Sequence, residues 1–174
     1  KLLALSNEEI GNERHARWTK FRKDIPEMPM TEINGNPAIA EAEGKLPRIT
    51  NHENPKLYAI FPFRVYGVGK DDLEMARHSF KTRRVKGSGK GWQQDETQAA
   101  FLGLTEDAAG IITRRAKNKH DKSRFPAFWG PNFDWIPDQD HGGNLLMGLQ
   151  TMILHADDDK IHLLPAWPKE WDVD

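Results

Sequence analysis

The chain has 174 residues, of which 37% are hydrophobic and 29% are charged, and this composition is enough for one domain with a core. The formal net charge of −1 gives no overall field that would attract nucleic acid or an anionic membrane. The absence of cysteine excludes disulfides and thiolate chemistry, and no apolar run approaches the roughly 18 residues of a membrane span.

The first predicted element is a helix from Ser6 to about Lys23. Ser6 and Glu9 have the spacing of a capping box, and Ile10, Trp18 and Phe21 predict one modest buried stripe. The N-terminal apolar run is too short for a signal peptide, and the start without Met suggests a piece of a longer protein.

The segment 25–48 contains four prolines, which exclude a continuous helix. Within it, Asn34-Gly35 is a turn signal for a short hairpin. Pro55 favours a short helix that runs to about Phe61. Residues 71–83 predict another helix, whose apolar face carries Leu73, Ala76 and Phe80.

A glycine-rich turn at residues 87–91 precedes a predicted pair of helices at residues 92–104 and 105–118. Its glycines lack the spacing of a phosphate-binding loop, so nucleotide binding is not favoured. Asp95 and Glu96 follow in the first helical turn. Either they complement the helix dipole, or the glycine loop presents both acids to a pocket.

An aromatic loop then leads into a predicted helix at residues 142–155 that is apolar nearly all round and is therefore expected to be buried. The loop combines flat rings with Asp138 and Asp140, a mixture that suits stacking on a sugar and hydrogen bonding to its hydroxyls. Equally, it could cover a helix end, with an aspartate as the cap. Its aromatic residues are Phe128, Trp129, Phe133 and Trp135.

The chain is expected to close with a turn at Asp157–Asp159 and a strand at residues 160–164. The three aspartates lack the spacing of an EF-hand, so a solvated turn is favoured over a calcium site. The seven histidines form no zinc motif, and a serine-hydrolase elbow is also absent from the sequence. We therefore predict neither a metal nor a cofactor.

Four motifs in this order resemble the C-terminal part of the catalytic domain of family 95 glycoside hydrolases, the inverting alpha-L-fucosidases and their relatives. They are LYAIFP (residues 57–62), GKGW (89–92), PDQDHGG (137–143) and IHLLPAWP (161–168). The family patterns are L-F-G-L-Y-P, G-T-G-W, I-D-G-N-F-G-G and I-H-L-L-P-A-L-P. The likeness runs from about Asn51 to Trp171.

The resemblance implies a mainly α fold that is part of a six-hairpin (α/α)6 toroid, with a short β-strand at the C-terminal end. Residues 1–158 would form the partial toroid, and residues 159–174 would begin a β-segment. It implies inverting hydrolysis, with the general acid upstream of this chain. Secretion or a periplasmic location is also implied.

The catalytic aspartate of the family falls on Asp138 when counted back from the Gly-Gly pair. Asp140 stands where the family has Asn, so either acid is a candidate for the base. By the same resemblance, the substrate-binding candidates are His52, Glu53, Trp92, Glu96, Trp129, Trp135 and His141.

The predicted function is an exo-acting glycoside hydrolase for oligosaccharides or polysaccharide side chains. The alternative is a non-catalytic carbohydrate-binding or interaction domain on the same scaffold, favoured by the departures from the family motifs. A third interpretation, a nucleic-acid contact through the basic run 81–86, competes with a solvated helix end. We also expect self-association, because a partial toroid would expose apolar helix faces.

Overall fold

The structure is a computed structural model, and it describes residues 3, 5, 7–44, 53–86, 91–118, 139–157 and 159–172. Helices make up about half of the described part, which also contains two small two-stranded sheets. The prediction of a mainly α chain is therefore confirmed at this level.

The N-terminal helix is divided in two. Helix α1 spans Asn7–Ile10 and helix α2 spans Asn12–Asp24, with Gly11 between them at a φ of 83°. The predicted buried stripe is wrong, since α2 has no buried residue and Phe21 is 67% exposed. Three scattered apolar side chains in a strongly charged helix do not form a face that can be buried.

A hairpin follows, as the Asn-Gly signal predicted. Strand β1 (Met30–Ile33) pairs antiparallel with strand β2 (Asn36–Ile39). The turn residues Asn34 and Gly35 both have positive φ, the conformation that tight hairpin turns require. The backbone N–H of Ile39 donates to the Ser79 hydroxyl at 2.8 Å, which docks the hairpin on the next helix.

That helix is α3 (Leu73–Lys81), and its fully buried Ala76 and Phe80 confirm the predicted apolar face. A short 3-10 helix at Pro55–Ala59 packs beside it and begins with Pro55, as expected. Its buried Leu57 joins Phe80 in the hydrophobic core.

The centre of the core is formed by three helices that contact one another, α4 (Asp95–Phe101), α5 (Thr105–Lys117) and α6 (Asp140–Ile153). Every residue of α4 is buried. Helix α6 approaches α4 closely at Gly148, where an added Cβ would overlap the side chain of Glu96 and contact that of Ile112. The predicted helical pair is confirmed, and α4 is shorter than expected.

The expectation that the last long helix is buried all round is wrong. One side of α6 packs on α4 and α5, whereas Leu146 is 60% exposed and Ile153 is also exposed. The helix also ends earlier than predicted, because the chain becomes extended at Leu154.

Strand β3 (Leu154–Asp157) turns back and pairs antiparallel with strand β4 (Lys160–Leu163). The predicted C-terminal strand is thus confirmed, whereas its partner strand is not predicted: its first two residues, Leu154 and His155, fall in the predicted helix. His155 and His162 face each other with ring centroids 4.8 Å apart, and His155 contacts the ring of Phe101. The predicted domain boundary at residue 158 lies within this hairpin.

Candidate functional site

The segment Gly91–Gln94, which carries Trp92, leads directly into α4. The first two residues of α4 face different partners, because successive helical residues are about 100° apart around the axis. Asp95 Oδ2 lies 2.7 Å from Arg83 Nε, and Glu96 Oε1 lies 2.7 Å from Arg115 Nε. Each carboxylate therefore fastens α4 to a different neighbouring element.

The Glu96–Arg115 pair lies in the interior, with both side chains 0% exposed. Arg115 Nη2 also donates to the carbonyl of Gln93 at 2.6 Å, and its Nη1 donates to that of Gly91 at 3.3 Å. Burial raises the pKa of Glu96 to about 7, against the opposing effect of the nearby guanidinium. The pair thus holds the backbone of the segment that presents Trp92.

The start of α6 is attached to the same segment. Asn144 Nδ2 donates to the carbonyl of Gly91 at 2.6 Å, and His141 Nε2 donates to the carbonyl of Arg115 at 2.9 Å. His141 and Asn144 are both buried, while Asp140 in the same turn is exposed. These bonds place the Asp140 turn beside the segment of Trp92, and we call this region the Gly91 edge.

A small polar cavity lies next to the Gly91 edge, between α4 and the 3-10 helix. It encloses about 10 Å³, which is room for about one water molecule. The cavity is therefore too small to enclose a sugar ring. The cavity is lined by Glu53, Asn54, Tyr58, Trp92, Gln93, Gln94, Asp95 and Gln98.

Both acids that line this cavity, Glu53 and Asp95, have internal partners. The Tyr58 hydroxyl donates to Glu53 Oε2 at 2.6 Å, and burial together with this carboxylate raises the pKa of Tyr58 to about 12. Burial raises the pKa of Asp95, although Arg83 opposes that shift. The hydroxyl of Tyr58 therefore stays protonated and acts as a hydrogen-bond donor at ordinary pH.

The predicted site residues fall into four groups. Glu53 and Trp92 line one cavity, and Asp140 lies in the exposed first turn of α6. Glu96 and His141 lie in the interior, where they support the Gly91 edge. Outside the described residues lie His52, Trp129, Trp135 and Asp138.

Several residues of the site were not singled out from the sequence, including Arg83, Arg115 and Tyr58. Both arginines stand in basic runs at helix ends, a pattern typical of solvated surfaces, and Tyr58 stands among core residues. Arg115 stands four residues after Ile111 in the sequence, and this spacing indicates that it lies on the apolar face of α5.

Within the described ranges, there is no group of three or more His, Asp or Glu side chains that could hold a metal ion. The same part of the chain has no helix of the length and hydrophobicity that crossing a membrane requires. Comparisons with models of protein families, with curated proteins and with solved structures found no match to this chain.

Proposed function

We propose that this chain forms part of a glycoside hydrolase that cleaves O-glycosidic bonds with inversion, and that α4, α5 and α6 belong to an (α/α)6 toroid. The observation that carries the proposal is the hydrogen bond from Asn144 to the Gly91 carbonyl. It joins Gly91, in the GKGW motif, to the residue that directly follows the PDQDHGG motif, and both motifs contribute to the resemblance to family 95 glycoside hydrolases.

The proposed base is Asp138 or Asp140. Asp140 is exposed at the first turn of α6, so its carboxylate can reach a water molecule. In an inverting enzyme, that water lies between the base and the sugar, and the base and general acid are about 6.5–9.5 Å apart. We assign the general acid to a part of the protein upstream of this chain.

The Gly91 edge and the adjacent polar cavity would bind the sugar through Trp92 and Glu53. An indole ring offers flat apolar area for the face of a pyranose, and a carboxylate accepts hydrogen bonds from hydroxyls. Glu96 and His141 would act indirectly, as positioning residues that hold the segment of Trp92 and the turn of Asp140. We propose further sugar contacts for His52, Trp129 and Trp135.

The test is to replace Asp138 and Asp140 separately by Asn in the full-length protein and to measure turnover and sugar binding by NMR. We expect one of the two variants to lose about 10²–10⁴-fold in turnover, the usual contribution of a general base, while sugar binding is kept. The wild-type protein should release a product of inverted anomeric configuration. Asp172→Asn, an exposed aspartate away from the site, is the matched control.

Two results would overturn this assignment. Unchanged turnover in both variants would remove the two aspartates as bases, and a product of retained configuration would remove the inverting mechanism.

The second candidate function is a non-catalytic carbohydrate-binding domain. It is favoured by the internal pairing of the carboxylates at the cavity, Glu53 with Tyr58 and Asp95 with Arg83. Such paired acids are typical of a fixed recognition surface. This function predicts shifts of the tryptophan indole signals with oligosaccharides and no new anomeric signals.

A further inference from the structure

A second pocket, of about 260 Å³, lies between the β1–β2 hairpin and the segment that follows α3. Its wall on the hairpin side is apolar and includes Ile33 and Ile39. The pocket is also lined by Lys56, Arg84 and Glu41. We call it the Lys56 pocket.

Lys56 is the unusual group in this pocket. The residue is only 7% exposed, and burial lowers the pKa of its amine against the opposing attraction of the Glu41 carboxylate. Among the described residues, no carboxylate lies within the 4 Å of an ion pair with this amine and no acceptor hydrogen-bonds to it. A buried ammonium group is costly unless an anion or several acceptors surround it. The pocket therefore offers a cation whose natural complement is an anion.

The carboxylate of Glu41 does not neutralise both cations that line the pocket. Arg84 Nε lies 4.0 Å from Glu41 Oε1, so the single carboxylate of the pocket is placed closest to the guanidinium. Among the described residues that line the pocket, two cations stand against one carboxylate, so this lining carries a net positive charge. An oxyanion would balance it, and guanidinium and ammonium groups both bind oxyanions through charge-assisted hydrogen bonds.

The Lys56 pocket adjoins the cavity at the Gly91 edge. The 3-10 helix contributes Lys56 to one and Tyr58 to the other. In addition, Arg84 Nη2 donates to the carbonyl of Glu53 at 3.3 Å, and Glu53 lines the cavity. One ligand that extends over this short helix could reach both sites.

We propose that the Lys56 pocket binds the oxyanion, a carboxylate or a sulfate, of an acidic saccharide. The apolar wall accommodates the carbon skeleton next to the charged group. This inference rests on the proposed function, since it makes the pocket a subsite of the same carbohydrate site and makes an acidic sugar the preferred ligand class.

The experiment is an NMR titration of the full chain with sodium glucuronate, glucose 6-sulfate, glucose and inorganic sulfate. We expect saturable shifts at the amides of the Lys56 pocket with the two acidic sugars, and at least tenfold weaker binding of glucose. Lys56→Met should weaken binding of the acidic sugars at least tenfold. Lys117→Met, which removes the same charge from an exposed position on α5, should leave it unchanged.

Arg84→Met is the second variant, because Arg84 is exposed enough to be replaced without disturbing the core, and it should weaken binding of the acidic sugars at least threefold. Equal affinity of wild type and both variants would overturn the proposal, as would an absence of shifts in the pocket. Binding of inorganic sulfate as tightly as glucose 6-sulfate would overturn the saccharide assignment. Because turnover is measured separately with the Asp138 and Asp140 variants, failure of the pocket and failure of the hydrolase proposal are distinguishable.

Discussion

Asp95 and Glu96 are adjacent acids at the start of α4, and each pairs with a different arginine. Asp95 faces Arg83, near the polar cavity, and Glu96 faces Arg115, beneath the Gly91 edge. A buried carboxylate that pairs with a buried guanidinium gains Coulomb energy but loses hydration, and the two effects nearly offset each other. For Glu96 the loss of hydration is the larger effect on the pKa.

The raised pKa of Glu96 predicts a pH dependence of stability. Burial raises this pKa from 4.5 to about 7. The folded chain therefore binds more protons than the unfolded chain between these values, and the free energy of unfolding should fall as pH rises through this window. The fall attributable to Glu96 is about 3 kcal/mol at most. Urea unfolding at pH 4.5, 5.5 and 7 measures it.

Glu96→Gln should lack this contribution. Glu106→Gln removes the same charge from an exposed position on α5 and should keep it. If the pH profiles of wild type and Glu96→Gln coincide, Glu96 does not titrate in this window.

The sequence identifies Asp95 and Glu96 as candidate residues, because they follow the glycine-rich turn, but it does not identify the arginines that pair with them. Their arginines lie 12 and 19 residues away in sequence, and only the packing of α4 against its neighbours brings them close. Pairing of this kind depends on tertiary contacts, which a local pattern does not contain.

Among the elements, the contact of α4 with α6 decides the geometry of the candidate site. It is the contact that brings the Asp140 turn to Gly91, and it depends on a glycine at position 148. Helices pack this closely only where a side chain is missing at the crossing.

Gly148→Ala tests that contact. The added methyl group would overlap the Glu96 side chain, so we expect a loss of about 1–3 kcal/mol in the free energy of unfolding, the usual cost of overpacking a core. Gly143→Ala, in the same helix with no neighbouring atom within 4 Å of the new Cβ, should instead be neutral or stabilise by up to about 1 kcal/mol. Thermal and urea unfolding of the two variants measures the difference.

Gly148→Ala should therefore lower the free energy of unfolding, whereas Gly143→Ala should not. Equal effects would mean that α4 and α6 are not in close contact at this position.

Elements with a local pattern could be predicted from the sequence. The Asn-Gly turn predicts the first hairpin, and the apolar face predicts α3. The end of α6 at Leu154 could not be predicted, because an apolar run continues there without a break from a helix into a strand. Apolar content alone does not distinguish these two states, because a buried helix and a buried strand use the same residues.

The β3–β4 hairpin has one face that packs on the rest of the molecule and one apolar face that is exposed. On one face, His155 packs against Phe101 and His162 packs against His155, whereas the alternating residues Ile161 and Leu163 are 68% and 71% exposed. Leu154, which pairs with Leu163, is also exposed. An apolar strand face next to the exposed side of α6 is a surface that favours association.

We therefore expect the chain to self-associate through this face. Sedimentation velocity should show a molecular mass that increases with protein concentration. The double variant Ile161→Thr, Leu163→Thr should remain monomeric, since Thr keeps the strand preference and removes apolar area. Phe21→Gln on α2 is the control, because it removes one exposed apolar side chain elsewhere. A wild-type monomer at all concentrations would contradict the expectation.

The contrast between α2 and α4 also has a consequence for evolution. Helix α2 has no buried side chain, so nearly any substitution that keeps its helical preference would be neutral to selection for folding. Helix α4 is buried along its whole length, and two of its residues form ion pairs with arginines. Almost every substitution there should therefore lower the free energy of unfolding. Descendants of this sequence should diverge quickly at residues 12–24 and slowly at residues 95–101, and the ancestry of the chain should be traced through the second segment.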